Sequence, residues 1–449
     1  MIKICDAVMG SGKSTACINY MNAHPRQRFI YISPYLEEDE RIWAACKSLH
    51  FIRPNTINEE DNHTKFMHTK RLLKTGRNIC TTHQLFRRYD DEMLEDIRKH
   101  RYTLICDEVV DAIETAEFSS QDIKLLLDSG FLKTQDGSIV RGDTAYSGTM
   151  LRGVMKMFDE RKYYYADVDG ERTIFTWILP PQLLYAFRDV YILTYMFAGQ
   201  NMKYMMDMYN MKYTYIGVKK NGLGEYEFCD ADDASPAPAY FADIHSLIRI
   251  HYDDRMNSIG DDRTALSKNW LDTHPDEMDT LRKNLQYWFR FVNPESRSGD
   301  RMWGCMKDYE RMLAGKGYSS SYVVFNKRAS NSLRGKTCLA YVTNVYMNVT
   351  QKIFLKSRGV EVSDDAYALS TMIQWIWRSA IRDGKPISIY VPSRRMRELL
   401  VSWMDSIAEQ AGASSREKLP DSIVIDLPDD GSTEIMVPFR LEGCRVIPG

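Results

Sequence analysis

The sequence predicts an α/β protein with parallel β-sheets in two lobes and a mostly helical insertion in the second half. Three observations support this fold class. A glycine-rich segment joins a short apolar strand to a helix near the start of the chain. A second apolar strand ends in two adjacent acidic residues. A stretch rich in Asp, Ala, Ser and Pro at residues 230–240 is typical of an exposed connection between domains.

Length and composition indicate a globular protein of more than one domain. The chain has 449 residues, which exceeds what one hydrophobic core usually organises. Its 59 basic and 61 acidic residues give a formal net charge of −2, so bulk charge neither requires nor excludes nucleic acid. The nine cysteines include no C-x-x-C pair, which favours free thiols over disulfides or zinc. With neither a secretory leader pattern nor a long apolar run, we expect a soluble, intracellular protein without membrane contact.

The glycine-rich segment predicts a phosphate-binding P-loop. Residues 7–15 read Ala-Val-Met-Gly-Ser-Gly-Lys-Ser-Thr, with alanine where the simple pattern has its first glycine. Glycines let backbone N–H groups close around the β- and γ-phosphates of ATP, and the following helix start adds a positive dipole. Lys13 supplies a charge, and Ser14 offers its hydroxyl to Mg²⁺. The predicted nucleotide contacts are Gly10, Ser11, Gly12, Lys13, Ser14 and Thr15.

The acidic pair predicts the hydrolytic partner of this loop. A buried parallel strand delivers Asp107 and Glu108 to the carboxyl edge of the sheet, where the P-loop also lies. Asp107 is then placed to hold Mg²⁺, and Glu108 is placed to act as the general base that polarises the attacking water. Further strands are expected within residues 29–35 and 78–85, each finishing in hydroxyl and turn residues, and at residues 190–197, which carry Thr194 inside the strand.

The ordered segments GSGKST, YISPY, CTTHQL, DEVVD and ILTYM resemble motifs I, Ia, Ib, II and III of superfamily 2 helicases. The chain also resembles helicase-like proteins of tailed bacteriophages. This resemblance implies RecA-like lobes, with ATP and Mg²⁺ as cofactors. It further implies that motifs Ia and Ib touch the nucleic-acid backbone and that motif III couples hydrolysis to strand contacts. The residues implicated in this way are Ser33, Pro34, Thr81, Thr82 and Thr194.

Gln374, Arg378 and Arg382 lie four residues apart, which predicts that they share one face of a helix. The segment resembles motif VI of the same superfamily, which implies that Gln374 and Arg378 lie at the nucleotide and that an arginine acts as the finger. Trp377 replaces the usual glycine, and Arg382 stands one residue later than the pattern's last arginine. Which arginine is the finger therefore stays open.

The predicted organisation has three parts. Residues 1–215 form a first RecA-like lobe, 216–316 a linker and helical accessory segment, and 317–449 a second RecA-like lobe with a tail. In the middle part, an apolar stripe at helical spacing over 281–292 favours a core-facing helix, with a base-stacking surface as the alternative.

We expect an ATP-dependent helicase or translocase that hydrolyses ATP in a cleft between two lobes. The expected setting is phage DNA replication or recombination in the cytoplasm of a bacterial host, with single-stranded or duplex DNA as partner and RNA possible. A DEAD-box RNA helicase is disfavoured, because only six residues precede the P-loop. A DNA-packaging motor and a nucleotide-gated binding switch without unwinding activity remain as alternatives. A thymidine kinase-like protein is disfavoured because it is shorter and has a zinc lasso of cysteines.

Overall fold

The computed structural model describes residues 1–34, 36–57, 63–116, 120–145, 147–148, 151–160, 162–168, 171–326 and 331–412. Contacts divide the chain into two compact units. The first comprises Met1–Ser235 and Tyr346–Ser370, and the second comprises Pro236–Val345 and the chain from Thr371 onward. The tail after residue 412, for which no structure is predicted from sequence, lies outside the described residues.

Sixteen strands are described. They are β1 (Ile2–Asp6), β2 (Phe29–Ser33), β3 (Ile79–Thr82), β4 (Thr103–Asp107), β5 (Ile113–Ala116), β6 (Leu132–Gln135), β7 (Ser138–Arg141), β8 (Tyr163–Val168), β9 (Glu171–Ile178), β10 (Asp189–Thr194), β11 (Tyr213–Lys220), β12 (Tyr226–Asp230), β13 (Ile248–His251), β14 (Arg301–Gly304), β15 (Cys338–Tyr341) and β16 (Ile387–Tyr390).

The α-helices are α1 (Lys13–Ala23), α2 (Leu36–Ala45), α3 (Lys65–Lys74), α4 (His83–Phe86), α5 (Asp91–His100), α6 (Ser120–Asp128), α7 (Arg152–Glu160), α8 (Pro181–Tyr185), α9 (Asn201–Met208), α10 (Ile244–Leu247), α11 (Asp254–Asn257), α12 (Lys268–Thr273), α13 (Glu277–Tyr287), α14 (Glu310–Leu313), α15 (Val349–Ser357), α16 (Asp364–Ile376) and α17 (Arg394–Gln410). Within the described ranges, none of these helices combines the length and apolar character needed to cross a membrane.

A seven-stranded sheet organises the first unit, in the order β12-β11-β1-β10-β4-β2-β3. All neighbouring pairs are parallel except β11 and β12. Residues from α1 and α2 pack on one face of this sheet, and residues from α3, α5 and α9 pack on the other. Because helices cover both faces, the central strands are rich in apolar residues, and every residue of β2 is buried. The strands predicted around the P-loop, the acidic pair and Thr194 are confirmed.

A second sheet of the first unit is antiparallel, with strand order β5-β9-β8-β7-β6. It lies in the chain between β4, which carries the acidic pair, and β10, which carries Thr194. No element is predicted from sequence in this segment, so the sheet is a finding of the structure.

The segment Tyr346–Ser370 returns to the first unit after the chain has built most of the second. Helix α15 packs against β5, β8 and β9, and it buries Phe354 and Leu355 in the main core of the first unit. The start of α16 lies on Gly199, where an added Cβ atom would come within 2.5 Å of the carbonyl carbon of Ala366 and closer still to its oxygen.

The second unit is built on a four-stranded parallel sheet, in the order β13-β16-β15-β14. The expected helical insertion is present between β13 and β14, where α11, α12 and α13 follow one another. Both β13 and β14 come from 216–316, the part expected as linker and accessory segment. These strands have only four residues each, and their pattern is therefore hard to see beside the helical one.

The apolar stripe over 281–292 belongs to the core of the second unit. Leu281, Leu285, Trp288 and Phe289 are all buried there, together with Trp303 of β14. A surface that stacks on nucleic-acid bases must expose its aromatic rings, and these rings are covered. The core-facing alternative is the one that the structure supports.

The contact at Gly199 provides a test of how the returning segment docks. Replacing Gly199 with alanine should lower the free energy of unfolding by about 1–3 kcal/mol, because the methyl group overlaps the Ala366 backbone. Gly153→Ala is the matched control, since Gly153 lies on the exposed side of α7 with open space around it. That change should be neutral or stabilise slightly, by up to ~1 kcal/mol. Equal stability of both variants in urea unfolding would contradict this packing.

Candidate active site

The loop between β1 and α1 has the geometry of an anion-binding turn. Gly10 and Gly12 have φ of 81° and 91°, a left-handed conformation that glycine adopts without steric cost. Gly12 immediately precedes α1, and among the described residues no side chain caps that helix start. The backbone N–H groups of the first turn therefore point toward the space where an anion would bind.

Lys13 lies at the centre of this loop. Its ammonium donates hydrogen bonds to the carbonyl oxygens of Ala7 and Val8, the latter at 3.0 Å. Burial lowers the pKa of Lys13, and nearby acidic groups, among them Asp6, Asp107 and Glu108, oppose that shift. The cation is therefore within electrostatic reach of the acidic pair.

The other loop side chains differ in exposure. The Ser11 hydroxyl is buried and has no hydrogen-bond partner among the described residues. Ser14 is partly buried, whereas Thr15 is exposed on the first turn of α1.

The acidic pair lies at the end of β4. The Tyr31 hydroxyl donates a 2.6 Å hydrogen bond to Oδ2 of Asp107, which fixes that carboxylate. Glu108 has φ of 61°, a left-handed conformation that strains a residue with a side chain by about 1–2 kcal/mol. Its N–H donates to the Leu193 carbonyl oxygen at 2.9 Å, so β10 holds this strained turn. Oε2 of Glu108 is buried and, within the described chain, accepts no hydrogen bond.

The register of the parallel strands aligns these groups along one sheet edge. Asp6 at the end of β1 pairs with Thr194 of β10, and Leu193 of β10 pairs with Asp107 of β4. The N–H of Ala7 then donates to the Thr194 carbonyl oxygen at 3.1 Å, so the loop starts at the level where β10 ends. Loop, acids and Thr194 therefore share the carboxyl edge. The sequence predicts this position for the loop and the acids, whereas it places Thr194 inside a strand over 190–197 and not at the end of β10.

The donor groups at this edge fit a magnesium ion held partly by other oxygens. Among the described residues, no three His, Cys, Asp or Glu side chains come together as a complete metal site. Mg²⁺ prefers oxygen ligands and usually keeps several waters, with one or two protein oxygens and the substrate phosphates. The Ser14 hydroxyl and the Asp107 carboxylate are oxygen donors of that kind, so a nucleotide-bound Mg²⁺ fits better than a resident ion.

Two polar residues at this edge have no role in the sequence analysis. Oδ2 of Asp6 accepts a 3.0 Å hydrogen bond from the Phe197 N–H, while Oδ1 is buried without a partner in the described chain. Burial raises the pKa of Asp6. Oε1 of Gln200 accepts a 3.0 Å hydrogen bond from the Thr194 hydroxyl, and Nε2 of Gln200 donates a 2.8 Å hydrogen bond to the Tyr195 carbonyl oxygen. The position of Asp6 directly before the P-loop is a usable signal, whereas Gln200 is recognisable only from its contacts.

The residues implicated in nucleic-acid contact differ in accessibility. Ser33, Thr81 and Thr194 are buried, with at most 4% of their surface exposed. Such burial keeps their side chains away from a nucleic-acid strand in this conformation. Pro34 and Thr82 are partly exposed, and the Thr82 hydroxyl accepts a hydrogen bond from the Leu85 N–H at the start of α4.

The prediction that Gln374, Arg378 and Arg382 share one helix face is wrong. Helix α16 ends at Ile376, and Ser379 is extended with ψ of −169°, so the chain changes direction there. Gln374 is on the helix and partly buried, whereas Arg378 lies in the turn after it and is buried. Arg382 is exposed on a separate 3-10 helix, Ala380–Asp383.

The physical reason for this break is a hydrogen bond outside the helix. The N–H of Ala380 donates a 2.9 Å hydrogen bond to the carbonyl oxygen of Lys336, which lies two residues before the start of β15. This bond draws the chain away from the helix axis. All three motif VI residues belong to the second unit, whereas the P-loop and the acidic pair belong to the first.

Comparisons with known proteins identify a relative over nearly the whole chain. The sequence is 33% identical over 412 residues to the SPbeta prophage-derived uncharacterized protein YonV of Bacillus subtilis (strain 168), covering 90% of this chain and 99% of YonV. Residues 242–404 match the YonV C-terminal Rossmann-like domain.

Among solved structures, XPD_APO is similar with a TM-score of 0.47 and 10% identity, over 90% of this chain and 95% of that chain. S. tokodaii Xpd4 is similar with a TM-score of 0.46 and 11% identity, over 90% and 94%. The sequence identity to YonV over almost the full length of both proteins is the stronger finding, and it shows that this chain belongs to the YonV family.

Proposed function

We propose that this protein is an ATP hydrolase that moves along or opens nucleic acid, as a helicase or translocase. The observation that carries the proposal is the common sheet edge in the first unit, where the loop with Lys13 and the acidic pair follow β1 and β4, the two parallel strands on either side of β10. The prophage origin of YonV supports a setting in phage DNA replication or recombination, in the cytoplasm of a bacterial host.

The loop is suited to hold the triphosphate. The uncapped start of α1 offers backbone N–H groups and a positive dipole to the β- and γ-phosphates. Lys13 exchanges its bonds to the Ala7 and Val8 carbonyl oxygens for phosphate oxygens, and the negative charge offsets the cost of burying the ammonium. Phosphate binding therefore favours the charged form of Lys13.

The two residues of the acidic pair have different roles in this proposal, metal binding and base catalysis. Ser14 and Asp107 would hold Mg²⁺, which when bound neutralises charge on the phosphates. Tyr31 keeps the Asp107 carboxylate in one orientation through its 2.6 Å bond. Glu108 is the general base, because its buried Oε2 is not engaged within the described chain and can accept a proton from the attacking water. The strained backbone at Glu108 aims this carboxylate, which is consistent with strain held at a functional position.

The second unit contributes an arginine in this proposal. The Arg378 guanidinium stabilises charge on the γ-phosphate during transfer, and Gln374 contacts the nucleotide. Arg378 is buried within the second unit, so the proposal requires that its side chain become accessible when nucleotide binds. Arg382, which is exposed, is the second candidate for this role.

The proposed partner is nucleic acid, with DNA preferred over RNA. Pro34 and Thr82 are the proposed backbone contacts, because they are the accessible members of the implicated set. Ser33, Thr81 and Thr194 would act from beneath, by positioning the loops that follow β2, β3 and β10.

The test of the proposed function is ATP turnover measured side by side with single-stranded DNA, duplex DNA, RNA and no nucleic acid. Stimulation by at least one of them supports a motor. Turnover that none of the three stimulates would contradict the motor and leave a plain ATPase or a nucleotide-gated switch.

Lys13→Ala should reduce ATP hydrolysis by roughly 100-fold or more, because it removes the positive charge at the phosphate-binding loop. Lys99→Ala is the matched control, since it removes the same charge from an exposed position of α5. The measurement is the rate of phosphate release, made on variants whose folding has been checked by circular dichroism. Near wild-type turnover of Lys13→Ala would contradict the assignment of the loop as the phosphate-binding site.

Glu108→Gln should bind ATP with Mg²⁺ as the wild type does, yet hydrolyse it about 100-fold or more slowly, because only the proton acceptor is lost. Glu95→Gln on the exposed face of α5 controls for the change in charge. Calorimetric titration combined with single-turnover hydrolysis separates the two steps. Loss of nucleotide binding in Glu108→Gln would refute the division of roles between the two acids.

Arg378→Ala should lower kcat on the order of 1000-fold while KM for ATP changes little, because the guanidinium acts on charge that develops during transfer. Lysine should rescue poorly, since it lacks the planar fork that spans two oxygens. Arg382→Ala, measured in parallel, decides between the two arginines. If Arg378→Ala folds and keeps wild-type kcat while Arg382→Ala loses it, the roles are reversed; if neither loses it, the second unit supplies no finger.

A further inference from the structure

The β11–β12 hairpin rises beside the P-loop at the edge of the first sheet. β11 runs parallel to β1, with Ile4 opposite Tyr215, and continuing this register sets Gly217 opposite Asp6 at the end of β1. Three more residues of β11 follow, which is roughly 10 Å at the usual rise of a strand. The turn at residues 221–225 and the start of β12 therefore stand at the height of the loop between β1 and α1.

Tyr226, the first residue of β12, lies directly on this loop. A Cβ atom at Gly12 would come within 2.6 Å of Cγ of Tyr226 and closer still to Cδ1 and Cε1, so the ring already occupies the space beside the Gly12 backbone. The side chain of Asn19 in α1 donates a 2.9 Å hydrogen bond to the Tyr226 carbonyl oxygen. Two separate contacts thus fix the start of β12 against α1.

Tyr226 approaches α1 on the side that carries Asn19. Asn19 lies one turn after Thr15 on the same side of the helix, and Thr15 is exposed. Phosphates held at the start of α1 would leave their sugar and base at the rim of the loop. That rim carries the Tyr226 ring, which is only partly buried.

A cation reinforces this aromatic surface. Lys220 pairs with Tyr226 across the hairpin, and its Nζ lies 5.2 Å from the centre of the ring. A positive charge near an aromatic ring that is itself next to a polyphosphate site adds attraction for the nucleotide without occupying the whole ring.

We propose that Tyr226 is the residue that binds the nucleotide base, by stacking its ring on the base of a nucleoside triphosphate whose phosphates lie at the P-loop. The inference rests on the proposed function. Stacking tolerates any base, and its strength grows with the area of the ring system. The site therefore takes purine nucleotides in preference to pyrimidine nucleotides and distinguishes both from inorganic polyphosphate.

The experiment compares the binding of ATP, CTP and inorganic tripolyphosphate to the full chain by calorimetry. Tyr226→Leu keeps an apolar side chain over Gly12 but removes the aromatic face, and Tyr226→Phe keeps that face. Phe228→Leu is the matched control, because Phe228 lies two residues further along β12, where its ring stacks on Tyr191. Wild-type protein should bind ATP more tightly than CTP and tripolyphosphate. Tyr226→Leu should weaken ATP binding roughly 10-fold or more and leave tripolyphosphate binding unchanged, with Tyr226→Phe and Phe228→Leu close to wild type.

The outcomes separate this inference from the proposed function. If Tyr226→Leu weakens ATP and tripolyphosphate equally, the ring only supports the loop, and the inference is overturned while the ATPase stands. The same follows if Tyr226→Leu binds ATP as tightly as the wild type does. Wild-type protein that binds neither ATP nor tripolyphosphate would overturn the proposed function and the inference together.

Discussion

The parallel pairing of β10 with β1 on one side and with β4 on the other is the constraint on which the candidate site depends. This register brings Asp6, Thr194 and Asp107 to one edge. A slip by one residue would turn each side chain to the opposite face of the sheet. Hydrogen bonds from the backbone of Ala7 and Glu108 to β10 then tie the loop and the strained acidic turn to that edge. The loops can take unusual conformations because the strands beneath them are buried and fixed.

Charge is concentrated at this edge at some cost to the folded protein. Burial lowers the pKa of Lys13 and raises the pKa of Asp6, so both groups are held where their charged forms are disfavoured. Buried polar atoms of Asp6, Ser11 and Glu108 have no hydrogen-bond partner in the described chain. Groups left in this state in a native fold usually serve a ligand or a reaction. In the proposed function, a triphosphate would pair with the Lys13 cation and Mg²⁺ with the acidic side chains, which would offset the cost of burying these groups.

The sequence predicts the parts of this fold that local pattern determines. Glycine spacing, apolar strands and paired acids identify the loop between β1 and α1 and the end of β4, because each signal lies within about ten residues. The antiparallel sheet inserted between β4 and β10 is not predicted, because its strands are defined by pairing across the sheet and no motif marks them in the sequence. The hydrogen bond from Thr194 to Gln200 is local but follows no recognised motif. The contact of Tyr226 with Gly12 joins residues far apart in the chain, and no local pattern predicts it. The helical spacing of Gln374, Arg378 and Arg382 predicts a helix that continues past Ile376. The helix ends there instead, because residue spacing carries no information about the hydrogen bond of Ala380 to a residue outside the helix.

The proposed nucleotide site is tested most directly by a crystal structure of the protein with Mg²⁺, ADP and beryllium fluoride, a mimic of the ATP-bound state. We expect the metal to be held by Ser14 and Asp107 and the fluoride group to lie between Lys13 and a water within hydrogen-bond reach of Glu108. Nucleotide bound away from the loop between β1 and α1, or a metal held without Ser14 and Asp107, would contradict this assignment of the site.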